Sequence, residues 1–127
     1  MYRILIVDDE EILRMLISDT LEDLADVQIE AAEDGIQALA MLEKQEYDLM
    51  ILDYMMPEVT GLELLNRLSP QMKARMKIIM LTAKAQETDR MKAMGAGASY
   101  YIPKPFSPLK LLELVEEILY GEPSKQE

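Results

Sequence analysis

The 127-residue chain has no cysteine, no histidine and no tryptophan, and a single phenylalanine. Without thiols there are no disulfides and no thiolate nucleophile. Without imidazole there is no Ser-His or Cys-His catalytic pair, and the zinc-finger ligand sets are absent too. Any bound metal has only oxygen ligands to use, which points to Mg²⁺, Mn²⁺ or Ca²⁺. Positive charge is also scarce: 13 Lys and Arg stand against 24 Asp and Glu, a formal net charge of -11. A surface this acidic argues against direct nucleic-acid binding. It suits a soluble protein that meets other proteins. No apolar run approaches membrane-spanning length, and the start "MYRILIVDD" lacks the layout of a signal peptide. The expected location is cytoplasmic, without a membrane partner.

What the chain has is one domain's length and 50% hydrophobic residues, enough to bury a core. Methionine is abundant, with 11 residues. Its usual role is to fill gaps in cores, and Met50 and Met80 lie inside apolar runs.

Three runs are apolar almost throughout: Ile4–Val7, Leu49–Leu52 and Ile78–Leu81. Each has strand length, and each is followed at once by a polar residue, Asp8, Asp53 or Thr82. Strands apolar on both faces belong in a parallel sheet covered by helices. Val27–Ala31 alternates, and Ser99–Pro103 is half polar and ends in proline, so both read as edge strands. Helical segments are expected at Glu11–Leu24, Ile36–Lys44, Leu62–Leu68, Gln86–Met94 and Pro108–Leu119. Thr60 is a candidate N-cap, and the glycines of "GAG" at Gly95–Gly97 close the fourth segment. The result is an α/β fold, a doubly wound (βα)5 unit. With central strands one, three and four, its sheet order is 2-1-3-4-5, the flavodoxin-like arrangement. Residues 1–120 form the domain, and "GEPSKQE" reads as a tail or linker stub over 121–127.

In such sheets ligands bind at the carboxyl ends of the strands, beside the switch point between strands one and three. Asp8, Asp9 and Asp53 therefore converge there, with Thr82 and Lys104 on the same rim. Crowded carboxylates cost energy when ionised, and a divalent cation removes that cost. A metal at this rim could hold a phosphoryl group against Asp53, whose carboxylate can serve as nucleophile and form an acyl phosphate. Glu10 and Glu11 read as helix-start residues.

The chain resembles the receiver domain of bacterial two-component response regulators, of chemotaxis-regulator type, over nearly its whole length. The resemblance rests on "DD" at Asp8–Asp9, "DYMMPEVTG" at Asp53–Gly61, "TA" at Thr82–Ala83 and "KPF" at Lys104–Phe106. It implies a signalling switch, not an enzyme, that promotes only its own phosphorylation and dephosphorylation. Asp53 would be the phosphoacceptor, charged by a sensor histidine kinase or phosphotransfer protein. Asp9, Asp53 and the Met55 backbone carbonyl would bind Mg²⁺, or Mn²⁺, directly, and Asp8 through a water. Lys104 would contact a phosphoryl oxygen. Thr82 and Tyr101 would form the switch that reaches a downstream effector protein or domain. The resemblance also implies a cis Lys104–Pro105 bond, and makes Met55 and Lys84 the positions that tune the phosphoryl lifetime. The chain departs from the family pattern at Thr60, where Asp is common, and at Tyr54, where the usual residue is aliphatic. The fourth helical segment, strand five and the last helix form the expected output surface. Two rival readings are a receiver-like scaffold that works without phosphorylation and an FMN carrier on the same fold. The second needs a Ser/Thr/Gly-rich phosphate loop where this chain has "DDEE".

Overall fold

The computed structural model describes residues 1–83 and 86–121. Five strands, β1 (Tyr2–Val7), β2 (Val27–Ala32), β3 (Leu49–Asp53), β4 (Lys77–Thr82) and β5 (Tyr100–Pro103), form one sheet in the order β2-β1-β3-β4-β5. Every pairing is parallel. Among the described residues six helices connect and cover them: α1 (Glu11–Leu21), α2 (Gly35–Lys44), α3 (Gly61–Arg67), α4 (Pro70–Arg75), α5 (Glu87–Ala96) and α6 (Pro108–Tyr120).

The double-faced apolar strands explain the layering. Alternate residues of a strand point to opposite faces. Leu5, Val7, Met50, Leu52, Ile78 and Met80 feed the core shared with α2 and α3. Ile4, Ile6, Leu49, Ile51, Ile79 and Leu81 feed a second core, closed by Ile17 and Leu21 of α1 and Leu111 and Val115 of α6. Each such fully buried aliphatic side chain contributes about 1.5–3 kcal/mol. The methionines divide accordingly: Met50, Met56, Met76 and Met80 are buried, whereas Met15, Met55 and Met91 are exposed.

The helices differ from the sequence expectation in instructive ways. A sixth helix, α4, lies between α3 and β4. Ser69 caps it by accepting from the Met72 N–H, and Pro70 opens it, but none of its residues is buried. No apolar stripe marks it. Helix α1 stops at Leu21 rather than Leu24, because the chain turns through Asp26, which has φ 67°, to enter β2. Ile36 and Leu16, apolar residues of the expected helices, are exposed; α2 buries Gly35, Ala38 and Leu42. Helix α5 runs on through Gly95, and Gly97 alone closes it, at φ 124°. Thr60 does cap α3, in a reciprocal capping box with Glu63.

Gly61 opens α3 against the end of β3. A Cβ there would lie 2.4 Å from the Asp53 carbonyl oxygen and 3.0 Å from Tyr54 Cα. Both are backbone atoms and cannot step aside without moving the strand end. Gly61→Ala is therefore expected to lower stability by about 1–3 kcal/mol. A urea midpoint equal to that of wild type would show that the strand end yields freely.

Candidate functional site

Sheet register brings the acidic residues together. Val7 pairs with Leu52, so Asp8 and Asp53 are the next residues along two adjacent strands. Asp53 pairs with Leu81 and Thr82 with Pro103, which sets Thr82 and Lys104 on the same rim. Backbone bonds continue past the strands: Tyr54 N–H donates to the Leu81 carbonyl at 2.8 Å and Lys104 N–H to the Thr82 carbonyl at 2.6 Å. The Lys104–Pro105 peptide bond is cis, as the resemblance implied.

Carboxylate oxygens of Asp8, Asp9 and Asp53 lie within 4.8 Å of one another. Asp8 and Asp53 are buried and Asp9 is exposed. Lys104 Nζ bridges the two buried groups, 3.2 Å from Asp53 Oδ1 and 3.5 Å from Asp8 Oδ2. Asp8 also accepts from the Glu10 N–H at 2.9 Å, and Arg14 Nη1 donates to the Asp8 carbonyl at 2.8 Å. Arg14 was not singled out from sequence; only its place one turn into α1 hinted at it. Glu10 and Glu11 stand at the start of α1, as expected.

Burial pushes the Asp53 carboxyl up to about 6, helped by the charge of Asp8 and opposed by Lys104 and the Met55 N–H. Burial raises Asp8 as well, against the Glu10 N–H and Lys104. For Lys104, burial works downward, but the Asp53 and Asp8 charges outweigh it and hold the ammonium above its ordinary value. One cation thus serves two buried carboxylates and leaves the cluster short of positive charge. Three oxygen donors so close together, with no soft ligand among them, match a hard divalent cation.

The remaining expected residues surround this cluster. Met55 N–H donates to Asp53 Oδ1 at 3.3 Å, and the Met55 side chain is 49% exposed at the rim. Thr82 is fully buried. Tyr101 hydrogen-bonds with the Thr82 side chain. Its ring meets that of Tyr54 edge-on, with centroids 6.4 Å apart at 81°. The Tyr54 hydroxyl donates to Asp89 at 3.3 Å, a contact that sequence reasoning did not foresee. The only signal was the unusual size of Tyr54. Lys84 lies outside the described residues.

The match to known proteins decides between the fold's many users. The family model for the response regulator receiver domain matches residues 4–116. The chain belongs to the response regulator receiver family. Receivers are signalling switches of two-component systems rather than enzymes in the ordinary sense. The chain is 40% identical over 117 residues to the phosphate regulon transcriptional regulatory protein PhoB of Pseudomonas aeruginosa, covering 91% of this chain and 51% of that protein. It therefore spans about half the length of this relative. It is 34% identical over 117 residues to chemotaxis protein CheY-3 of Vibrio cholerae, covering 91% of this chain and 90% of the relative. Among solved structures, the response regulator TrrA of Thermotoga maritima, in complex with Mg²⁺-BeF, superposes with a TM-score of 0.80 at 36% identity. That likeness covers 94% of this chain and all of TrrA. Among the described residues of this receiver, no helix is long and apolar enough to cross a membrane.

Proposed function

We propose that this receiver is a phosphoacceptor switch, with Asp53 taking a phosphoryl group from a sensor histidine kinase or phosphotransfer protein. The observation that carries the reading is the buried Asp8–Asp53 pair bridged by Lys104 beside the exposed Asp9. A carboxylate oxygen of Asp53 attacks phosphorus. The bond from phosphorus to the donor's nitrogen breaks, the electron pair leaves with the nitrogen, and an acyl phosphate forms. Lys104, already 3.2 Å from the acceptor carboxylate, takes up charge on a phosphoryl oxygen. Asp8, Asp9, Asp53 and the Met55 backbone carbonyl would hold Mg²⁺, with Mn²⁺ as a substitute. Bound there, the ion supplies charge neutralisation for phosphoryl transfer.

The phosphoryl group then biases Thr82 and Tyr101 between two packings. The response passes to an effector through α5, β5 and α6. Residues 1–120 carry this function, without direct nucleic-acid or membrane contact, in the cytoplasm. Beside the site, Ile12, Leu13, Leu16 and Phe106 line an apolar groove with Glu10 and Glu11 at its edge. It offers the donor protein a surface next to Asp53.

The test is intact mass after incubation with acetyl phosphate and Mg²⁺. The expected result is a gain of one phosphoryl group, lost when EDTA replaces Mg²⁺. Folded protein that takes up no phosphoryl group would favour the phosphorylation-independent scaffold.

The exposed Met55 side chain shields the rim from attacking water, and Lys84, the other variable position, is assigned the same role. Met55→Asn is expected to speed loss of the phosphoryl group about tenfold, as a smaller amide admits and orients water. An unchanged decay rate by intact mass would remove Met55 from this role.

A further inference from the structure

Helix α5 buries little of itself. Ala93 is its only buried residue, Met94 is half-buried, and Met91 is 62% exposed. Hydrophobic burial therefore does little to fix its position. Polar contacts hold it at both ends instead. At its C-terminal end, Lys73 of α4 donates from Nζ to the Ala96 carbonyl at 2.7 Å, where a cation favours a helix terminus. In its first turn, Asp89 accepts from the Tyr54 hydroxyl at 3.3 Å.

Tyr54 is buried, follows Asp53 directly and has its backbone N–H bonded to β4. The aliphatic residue usual at this position has no hydroxyl to donate to Asp89. The same ring receives the edge contact of Tyr101. Burial, with the Asp89 charge, raises the Tyr54 phenol, so it stays a donor to the carboxylate at neutral pH. A single side chain thus touches α5 and the Tyr101 ring from the residue beside the phosphoacceptor.

We propose that Tyr54 is a positioning residue that ties the first turn of α5 to the end of β3 through Asp89 and transmits repacking at Thr82–Tyr101 to that helix. When Tyr101 moves, the Tyr54 ring loses its edge contact and its hydroxyl changes its hold on Asp89. Helix α5 responds because little else fixes it. The transmission half of the proposal rests on the phosphoacceptor reading; the tie does not.

The experiment is amide hydrogen exchange by mass spectrometry on the full chain, with and without acetyl phosphate and Mg²⁺. It compares wild type, Tyr54→Phe, Asp89→Ala and the double variant. In untreated protein, Tyr54→Phe should speed exchange over α5 by about three- to tenfold, the range for losing one ordinary hydrogen bond. The effect should vanish in the Asp89→Ala background. After phosphorylation, wild type should change its exchange over α5, while Tyr54→Phe takes up the phosphoryl group with a much smaller change there. Unaltered α5 exchange in Tyr54→Phe, or an equal effect in the Asp89→Ala background, would overturn the tie. A full-sized phosphorylation response in Tyr54→Phe would overturn the transmission. If wild type takes up no phosphoryl group, the phosphoacceptor reading fails, and the untreated comparison still decides the tie.

Discussion

Asp53→Asn is expected to abolish phosphoryl uptake and, in the same protein, to raise stability at neutral pH. The first effect follows from chemistry: an amide oxygen is a far weaker nucleophile than a carboxylate and forms no stable acyl phosphate. The second follows from burial. Asp53 is 4% exposed, and its carboxyl is pushed up from 3.8 to about 6. A group raised in this way binds its proton more tightly in the folded state. Its stabilising contribution is complete below 3.8 and is lost as pH rises through 6. A gap of roughly two units corresponds to about 3 kcal/mol forfeited at neutral pH in the absence of a divalent cation. The neutral amide forfeits nothing. Asp53→Asn should therefore melt higher than wild type at about pH 7.5 in EDTA, and should lose most of that advantage near pH 4, where the folded-state carboxyl is protonated. Mg²⁺ should narrow the difference by stabilising wild type. A variant less stable than wild type at neutral pH would mean that the Asp53 charge is well compensated by Lys104.

Lys104→Met carries the second large effect. The Lys104 ammonium lies within 3.5 Å of two carboxylates whose side chains are 1% and 5% exposed. Removing one member of a buried ionic cluster costs more than forming the cluster contributes, because the remaining charges stay desolvated. The expected loss is about 2–4 kcal/mol at about pH 7.5 without Mg²⁺, kept at the lower end because Asp53 escapes by taking up a proton. For a domain of this size that corresponds to a melting temperature lower by about 10 °C. The loss should shrink near pH 5, below the Asp53 midpoint of about 6, where wild type no longer presents two full charges to Lys104. Thermal melts at the two pH values check the sign. A pH-independent loss would assign the effect to packing of the lysine stem rather than to charge.

The parts of the molecule legible in sequence share a physical property. Strands β1, β3 and β4 are buried on both faces, so their runs are apolar without interruption and the polar residue ending each run stands out. Once the strand order follows from those runs, the meeting of Asp8, Asp9 and Asp53 follows from parallel register. Helix α4 was not legible because none of its residues is fully buried; Ser69 and Pro70 signalled a start with no stripe behind them. Ile36 and Leu16 misled for the converse reason. Apolar residues at helical spacing outnumber the places the sheet can cover, and the surplus stays exposed. The Tyr54–Asp89 bond joins residues 35 apart and depends on where α5 docks. No local pattern encodes it.

The central claim is that the phosphoryl group resides on Asp53, and chemical trapping of the acyl phosphate tests it most directly. Protein treated with acetyl phosphate and Mg²⁺ is reduced with borohydride, which converts an aspartyl phosphate to homoserine, and is then mapped by peptide mass spectrometry. Homoserine is expected at position 53 alone, dependent on Mg²⁺. Homoserine at position 8 or 9, or none in protein that has gained a phosphoryl group, would contradict it.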